Sequence, residues 1–121
     1  VKIDRFEKIE AWQKARELAN YIFEITSQKK FAKDYGLRDQ IQRASVSVMA
    51  NIAEGFGSNS NKEFTRFLGY ANRSVYEVQS HLYVALDRGY LKQEDFDAIY
   101  DKATNTTKLT KGFIRYLKSV E

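Results

Sequence analysis

The chain has 121 residues, 43% of them hydrophobic and 30% charged, with a net charge of +4; this suits one domain, residues 1–121, with its own core, and admits an anionic partner without requiring one. It contains no cysteine and a single histidine, which excludes disulfides, thiolate metal sites and cysteine nucleophiles. No basic-then-apolar leader opens the sequence and no run approaches the roughly 18 apolar residues of a membrane span, so a cytoplasmic location without a membrane partner is expected.

There is no proline and there are only six glycines, so little interrupts helices. Asp4-Arg5-Phe6-Glu7 has the form of a capping box and predicts a helix starting there. Ile9, Trp12, Ala15, Ala19, Ile22 and Thr26 follow at steps of three and four, flanked by Leu18, Phe23 and Ile25, which gives that helix a broad apolar stripe. Lys29 to Gly36 is expected to be the first connection. A second helix is predicted from about Leu37 to Glu54, with Leu37, Ile41, Ala44, Val48 and Ile52 on one line and small residues beside it that permit close approach. A third is predicted from about Asn61 to Arg88, ended by Gly89 in the left-handed conformation. The fourth, about Gln93 to Ser119, carries Phe96, Tyr100, Ala103, Thr107, Thr110, Ile114 and Leu117 in alternating steps of four and three, the seven-residue period of left-handed bundle packing. Four amphipathic helices with short connections imply an all-α, antiparallel up-down-up-down four-helix bundle.

The stretch between the second and third helices, Gly55-Phe56-Gly57-Ser58-Asn59-Ser60-Asn61-Lys62, resembles a phosphate loop but follows a helix and lacks the lysine directly before Ser or Thr that such a loop needs. It reads as a corner, with Gly55 or Gly57 stopping one helix and Ser60-Asn61-Lys62-Glu63 capping the next. Asn51 and Glu54 lie one turn apart beside Ile52. With Arg43, Gly55 and Glu63 they are expected to form a structural polar corner, the amide and carboxylate taking up loop amides or a cation such as Arg43, Arg66 or Arg73. A proton-moving carboxylate there would need a second group in reach, for which only Glu63 and Glu77 are obvious candidates.

The segments Trp12-Gln13-Lys14-Ala15, Tyr35 to Ala44, Asn51-Ile52-Ala53-Glu54-Gly55, Glu63-Phe64-Thr65-Arg66-Phe67-Leu68 and Gly89-Tyr90-Leu91, in this order, resemble the four-helix-bundle proteins encoded in intervening sequences of bacterial 23S ribosomal RNA genes. The resemblance spans nearly the whole chain. It implies an antiparallel bundle assembled into a homopentamer. It also implies kinship with the accessory variability proteins of diversity-generating retroelements, which are basic and work with a reverse transcriptase and nucleic acid. Two positions depart from the pattern: Ala32 and Met49-Ala50 stand where the family usually has proline, which bears on the bend of the second helix.

The charge distribution suggests where an anionic partner would sit. From Lys102 to Lys118 there are five cations, Lys102, Lys108, Lys111, Arg115 and Lys118, and no acid. The last four each follow a core position and so form one stripe about 100° from the buried line. Such a stripe is expected to bind RNA or DNA through phosphates, with Tyr116 or Phe113 available to stack on bases. The alternative is an assembly or protein-partner scaffold, because eight Phe and eight Tyr exceed what a small bundle easily hides and aromatics favour interfaces; Tyr21, Tyr70, Tyr76, Tyr83 and Tyr90 are the candidates. An enzyme is not expected. Di-iron bundles need paired Glu-x-x-His motifs, which one histidine cannot supply. His81 is the only conventional base for a nucleophile. A haem held by His81 and Met49 would rest on two isolated residues better read as surface and gap filler. No cofactor and no metal are therefore expected.

Overall fold

The computed structural model describes residues 3–120. A single turn of 3-10 helix, Phe6–Lys8, precedes five α-helices: α1 (Glu10–Thr26), α2 (Lys29–Lys33), α3 (Tyr35–Phe56), α4 (Asn61–Asp87) and α5 (Gln93–Ser119). Four are long, and among the described residues there is no strand. Each long helix buries the line its sequence spacing marks: Leu18 and Ile22 on α1, Ile41, Val48 and Ile52 on α3, Leu68, Val75, Val78 and Leu82 on α4, and Ala103 on α5 have no exposed surface. At about 1.5–3 kcal/mol for each large aliphatic side chain, this burial is the main force holding the helices together.

Neighbour relations run α1–α3–α4–α5 and back to α1. Side-chain contacts fix the directions. Gly55, near the end of α3, abuts Phe64 at the start of α4, while Ser74 Oγ donates to Ser47 Oγ at 3.0 Å further along both. Likewise Gln79 Nε2 donates to Thr104 Oγ1 at 3.0 Å, Asn72 accepts from Thr110, and Phe64 meets Phe113 edge-on at 5.1 Å between centroids. In both pairs, rising numbers on one helix meet falling numbers on the other, so α3, α4 and α5 alternate up and down.

The helix boundaries carry the local reasons. At the third helix, Ser60 Oγ accepts from Glu63 N at 3.1 Å, as its capping sequence requires. Gly89 has φ +77, and its N–H donates to Leu86 O at 3.0 Å while that of Tyr90 reaches back to Ala85 O at 2.9 Å. These two bonds close a Schellman motif, which needs the left-handed residue that glycine supplies without strain.

Three expectations are corrected. The Asp4 capping box does not form: Asp4 pairs with Lys8 at 3.1 Å and α1 starts only at Glu10, after Ile9, with no side-chain cap. Burial of Ile9 and the edge-on contact of Phe6 with Trp12 at 5.1 Å hold the chain extended across that step. The first connection contains the short helix α2, because Phe31 points into the core and is 1% exposed. Asp34 Oδ1 then caps α3 through Leu37 N at 3.1 Å, and α3 continues as one helix through Met49 and Ala50. Gly57 caps the end of α3, as one of the two corner glycines was expected to, with φ −78 and so without a left-handed residue; Ser58 Oγ donates to Gly55 O at 2.6 Å. Phe23, placed in the apolar stripe of the first helix, is 45% exposed and lines a groove with Gln42, Arg43 and Val46 of α3.

Candidate nucleic-acid interface

The fourth long helix positions the basic stripe as the heptad pattern requires. Phe96, Ala103, Thr107, Thr110 and Leu117 are buried, while Lys108, Lys111, Arg115 and Lys118 are exposed. The stripe covers about 15 Å of a rigid helix at 1.5 Å per residue. Ion pairs within 4.0 Å among the described residues lie elsewhere, at Asp4–Lys8, Lys14–Glu17, Arg38–Asp39, Glu63–Arg66 and Glu77–His81. The stripe is thus a row of cations with no acid in salt-bridge range among the described residues. Lys118 sits in the last turn, where the helix dipole favours a cation, but that effect fades within a turn and does not account for Lys108, Lys111 or Arg115.

Lys102 stands apart from the other four. It points toward α1, half-buried, with its ammonium 4.6 Å from the centroid of the Tyr21 ring, an attraction of cation to ring face. Lys108 borders the same side, sharing a groove with Glu10, Lys14 and Glu17 of α1. The least compensated part of the stripe is therefore Lys111, Arg115 and Lys118. Of the two aromatic candidates, Phe113 is half-buried and used in packing on Phe64, whereas Tyr116 is 54% exposed. Tyr116 lies about 100° around the helix from Arg115, beside the stripe and not within it.

The polar corner is only partly assembled. Asn51 Nδ2 donates to Ser47 O at 2.9 Å and to Ser47 Oγ at 3.1 Å, and Ser47 in turn accepts from Ser74 of α4, so the amide belongs to a link between α3 and α4. Glu54 is exposed and takes no part in it. Glu63 contributes its backbone N–H to the Ser60 cap and its carboxylate to Arg66 at 3.3 Å. Arg43 stands eleven residues from Glu54, about 16 Å along the helix, beside Asp39 and Glu77. The five residues do not converge on one point. Gly55 has the clearest role: a Cβ there would lie 2.8 Å from Phe64 Cδ1 and 2.9 Å from Phe67 Cβ. His81 Nε2 lies 3.3 Å from Glu77 Oε2, one turn away on the same helix.

A second set of cations escapes a charge count taken segment by segment. Lys62, Arg66, Gly69, Arg73 and Tyr76 succeed one another on α4 at steps of four, three, four and three, and the three cations and Tyr76 are exposed. The same spacing rule that marks the stripe on α5 would have found them. One acid, Glu63, falls among these cations in sequence, and the cations themselves are spread over twelve residues, which conceals this ridge.

Fold and surface together define a helical bundle whose α4 and α5 carry cations at one end. The sequence profile of the 23S rRNA-intervening sequence protein family matches residues 7–112, and the chain belongs to that family. A solved structure, from Bacteroides thetaiotaomicron VPI-5482, is of a protein with unknown function from the S23 ribosomal protein family. It superposes with a TM-score of 0.78 at 24% identity, covering 86% of this chain and 97% of that one, which supports the bundle fold and carries nothing further. No curated protein matches the sequence.

Proposed function

We propose that the protein is a non-enzymatic, homo-oligomeric bundle that associates with nucleic acid, structured RNA foremost, through the basic surface of α5. The supporting observation is the row Lys108, Lys111, Arg115 and Lys118, exposed on one helix without an acid in salt-bridge range among the described residues. A rigid row of this kind binds by displacing counterions from phosphates, so its affinity falls with salt and depends little on sequence. Assembly into a pentameric ring, expected from the family resemblance, repeats the row around an axis and multiplies weak contacts. The family's name, with its reference to 23S rRNA, makes RNA the first ligand to try, and a reverse transcriptase is a partner to test by co-purification. The protein is proposed to act in the cytoplasm.

The direct test is fluorescence anisotropy with a stem-loop RNA, a single strand and duplex DNA at several salt concentrations. Binding that weakens with salt and is abolished by reversing the four charges supports the reading. No binding at low salt removes it.

A second reading, an assembly or partner scaffold without direct nucleic-acid contact, draws on Tyr21, Tyr70, Tyr76 and Tyr83, which are all at least 36% exposed. Tyr90, the fifth candidate, is engaged within the fold, donating to Asp34 Oδ2 at 2.9 Å. Light scattering separates an assembled particle from a single chain.

A further inference from the structure

The register of α4 against α5 brings the two sets of cations together. The bonds Gln79–Thr104 and Asn72–Thr110 and the ring contact Phe64–Phe113 set Arg73 level with the turn from Lys108 to Lys111, and Arg66 level with the turn from Lys111 to Arg115. Lys62 then lies level with the end of α5. Adjacent packed helices are separated by about 8–10 Å, so the two ridges flank one shallow trough. The acids of these helices are placed differently. Glu94, Asp95, Asp97 and Asp101 occupy the first turns of α5, and Glu77 and Asp87 the second half of α4. At the basic end of these two helices Glu63 is, among the described residues, the only acid that interrupts the cations, and it is paired with Arg66.

Two features of the α4 ridge have no cause among the described residues. Lys62 stands in the first turn of α4, the end at which a helix dipole disfavours a cation. Gly69 lies in the middle of the same helix, where glycine costs about 1 kcal/mol relative to alanine, yet a Cβ there would meet nothing within 4 Å. No packing neighbour requires that glycine, in contrast to Gly55. A half-buried glycine with open space above it, between flanking cations, leaves the helix surface bare at the point where something must come close.

Building on the nucleic-acid reading, we infer that the binding site is the α4–α5 trough, in which Lys62, Arg66 and Arg73 join Lys108, Lys111, Arg115 and Lys118 to hold a phosphodiester backbone that passes directly over Gly69. The chemistry recognised is the phosphate chain. A duplex RNA, a single-stranded RNA and a duplex DNA all present it, and separate arms of the experiment distinguish them.

The test compares anisotropy titrations of the wild type, the triple variant K62Q/R66Q/R73Q, Gly69→Gln and Ser80→Gln, with a stem-loop RNA, a single-stranded RNA and a duplex DNA at four salt concentrations. Ser80 is exposed on the same helix toward its acidic half and controls for adding a side chain. Circular dichroism of each variant confirms the helical fold. Loss of one phosphate contact lowers the slope of log affinity against log salt by about one, so the triple variant is expected to lose about three. Gly69→Gln is expected to weaken binding at least several-fold with little change of slope, and Ser80→Gln to leave it unaltered. If the wild type binds and the triple variant keeps its slope, or Gly69→Gln binds like Ser80→Gln, the trough is wrong while the α5 reading stands. A wild type that binds none of the three ligands overturns both.

Discussion

The same substitution, glycine to alanine, is expected to have opposite effects at two positions of the bundle. At Gly55 the new Cβ would sit 2.8 Å from Phe64 Cδ1 and 2.9 Å from Phe67 Cβ. The Phe67 Cβ is attached to the α4 backbone, so relief requires the helices to separate. Overpacking of this kind costs about 1–3 kcal/mol, offset by about 0.5–1 kcal/mol from replacing glycine within a helix. The expected net loss for Gly55→Ala is therefore about 0.5–2 kcal/mol. At Gly69 nothing lies within 4 Å of the added carbon, so only the helix gain operates and Gly69→Ala should be more stable by about 0.5–1 kcal/mol. For a chain of this size 1 kcal/mol moves Tm by about 4 °C. Urea unfolding and thermal melts at matched protein concentration measure both. A Gly55→Ala protein at least as stable as the wild type would refute the close α3–α4 approach, and a destabilised Gly69→Ala would mean that the position is not open.

Three further outcomes can be checked. Thr107 Oγ1 is buried without a hydrogen-bond partner among the described residues, so Thr107→Val should raise stability by about 1 kcal/mol in chemical denaturation by removing an unsatisfied hydroxyl. The phenol of Tyr90 is held above its ordinary value first by its hydrogen bond to Asp34, then by burial and by the Asp34 charge, with Arg88 opposing. A raised folded pKa means a stabilising contribution that is complete below the ordinary tyrosine range and lost as pH rises through the folded value. The stability difference between wild type and Tyr90→Phe should thus shrink in strongly alkaline solution, and ultraviolet titration should show one late-ionising tyrosine fewer in the variant. Light scattering should return a mass of roughly five times the 14.1 kDa of one chain, whereas a single-chain mass would remove the proposed ring.

The positions of the long helices could be read from periodicity because burial is one-sided on each of them. The seven-residue spacing of Phe96 to Leu117 gave α5 its limits, Gln93–Ser119, and Gly89 gave α4 its end. Failures occurred where tertiary contacts decide local conformation. Asp4 and Glu7 satisfy a capping pattern, but burial of Ile9 and packing of Phe6 on Trp12 outweigh one side-chain cap. The expected polar corner assembles only in part for a related reason, since Asn51 finds Ser47 on its own helix, a partner that spacing permits but does not select. Phe23 was misplaced because a helix with apolar residues over a wide arc does not reveal where the buried arc ends. The stripe on α5 was legible because no acid interrupts its cations in sequence, while the ridge on α4 has Glu63 among its three cations and shows only when the same helical spacing is followed along α4.

The central claim is that uncompensated cations on α5 bind phosphates. It is tested most directly by the salt dependence of stem-loop RNA binding for the wild type and for K108Q/K111Q/R115Q/K118Q. Removing four contacts should lower the slope of log affinity against log salt by about 3–4 and weaken binding most at low salt. An unchanged slope in the quadruple variant, or no binding by the wild type at low salt, would contradict the claim.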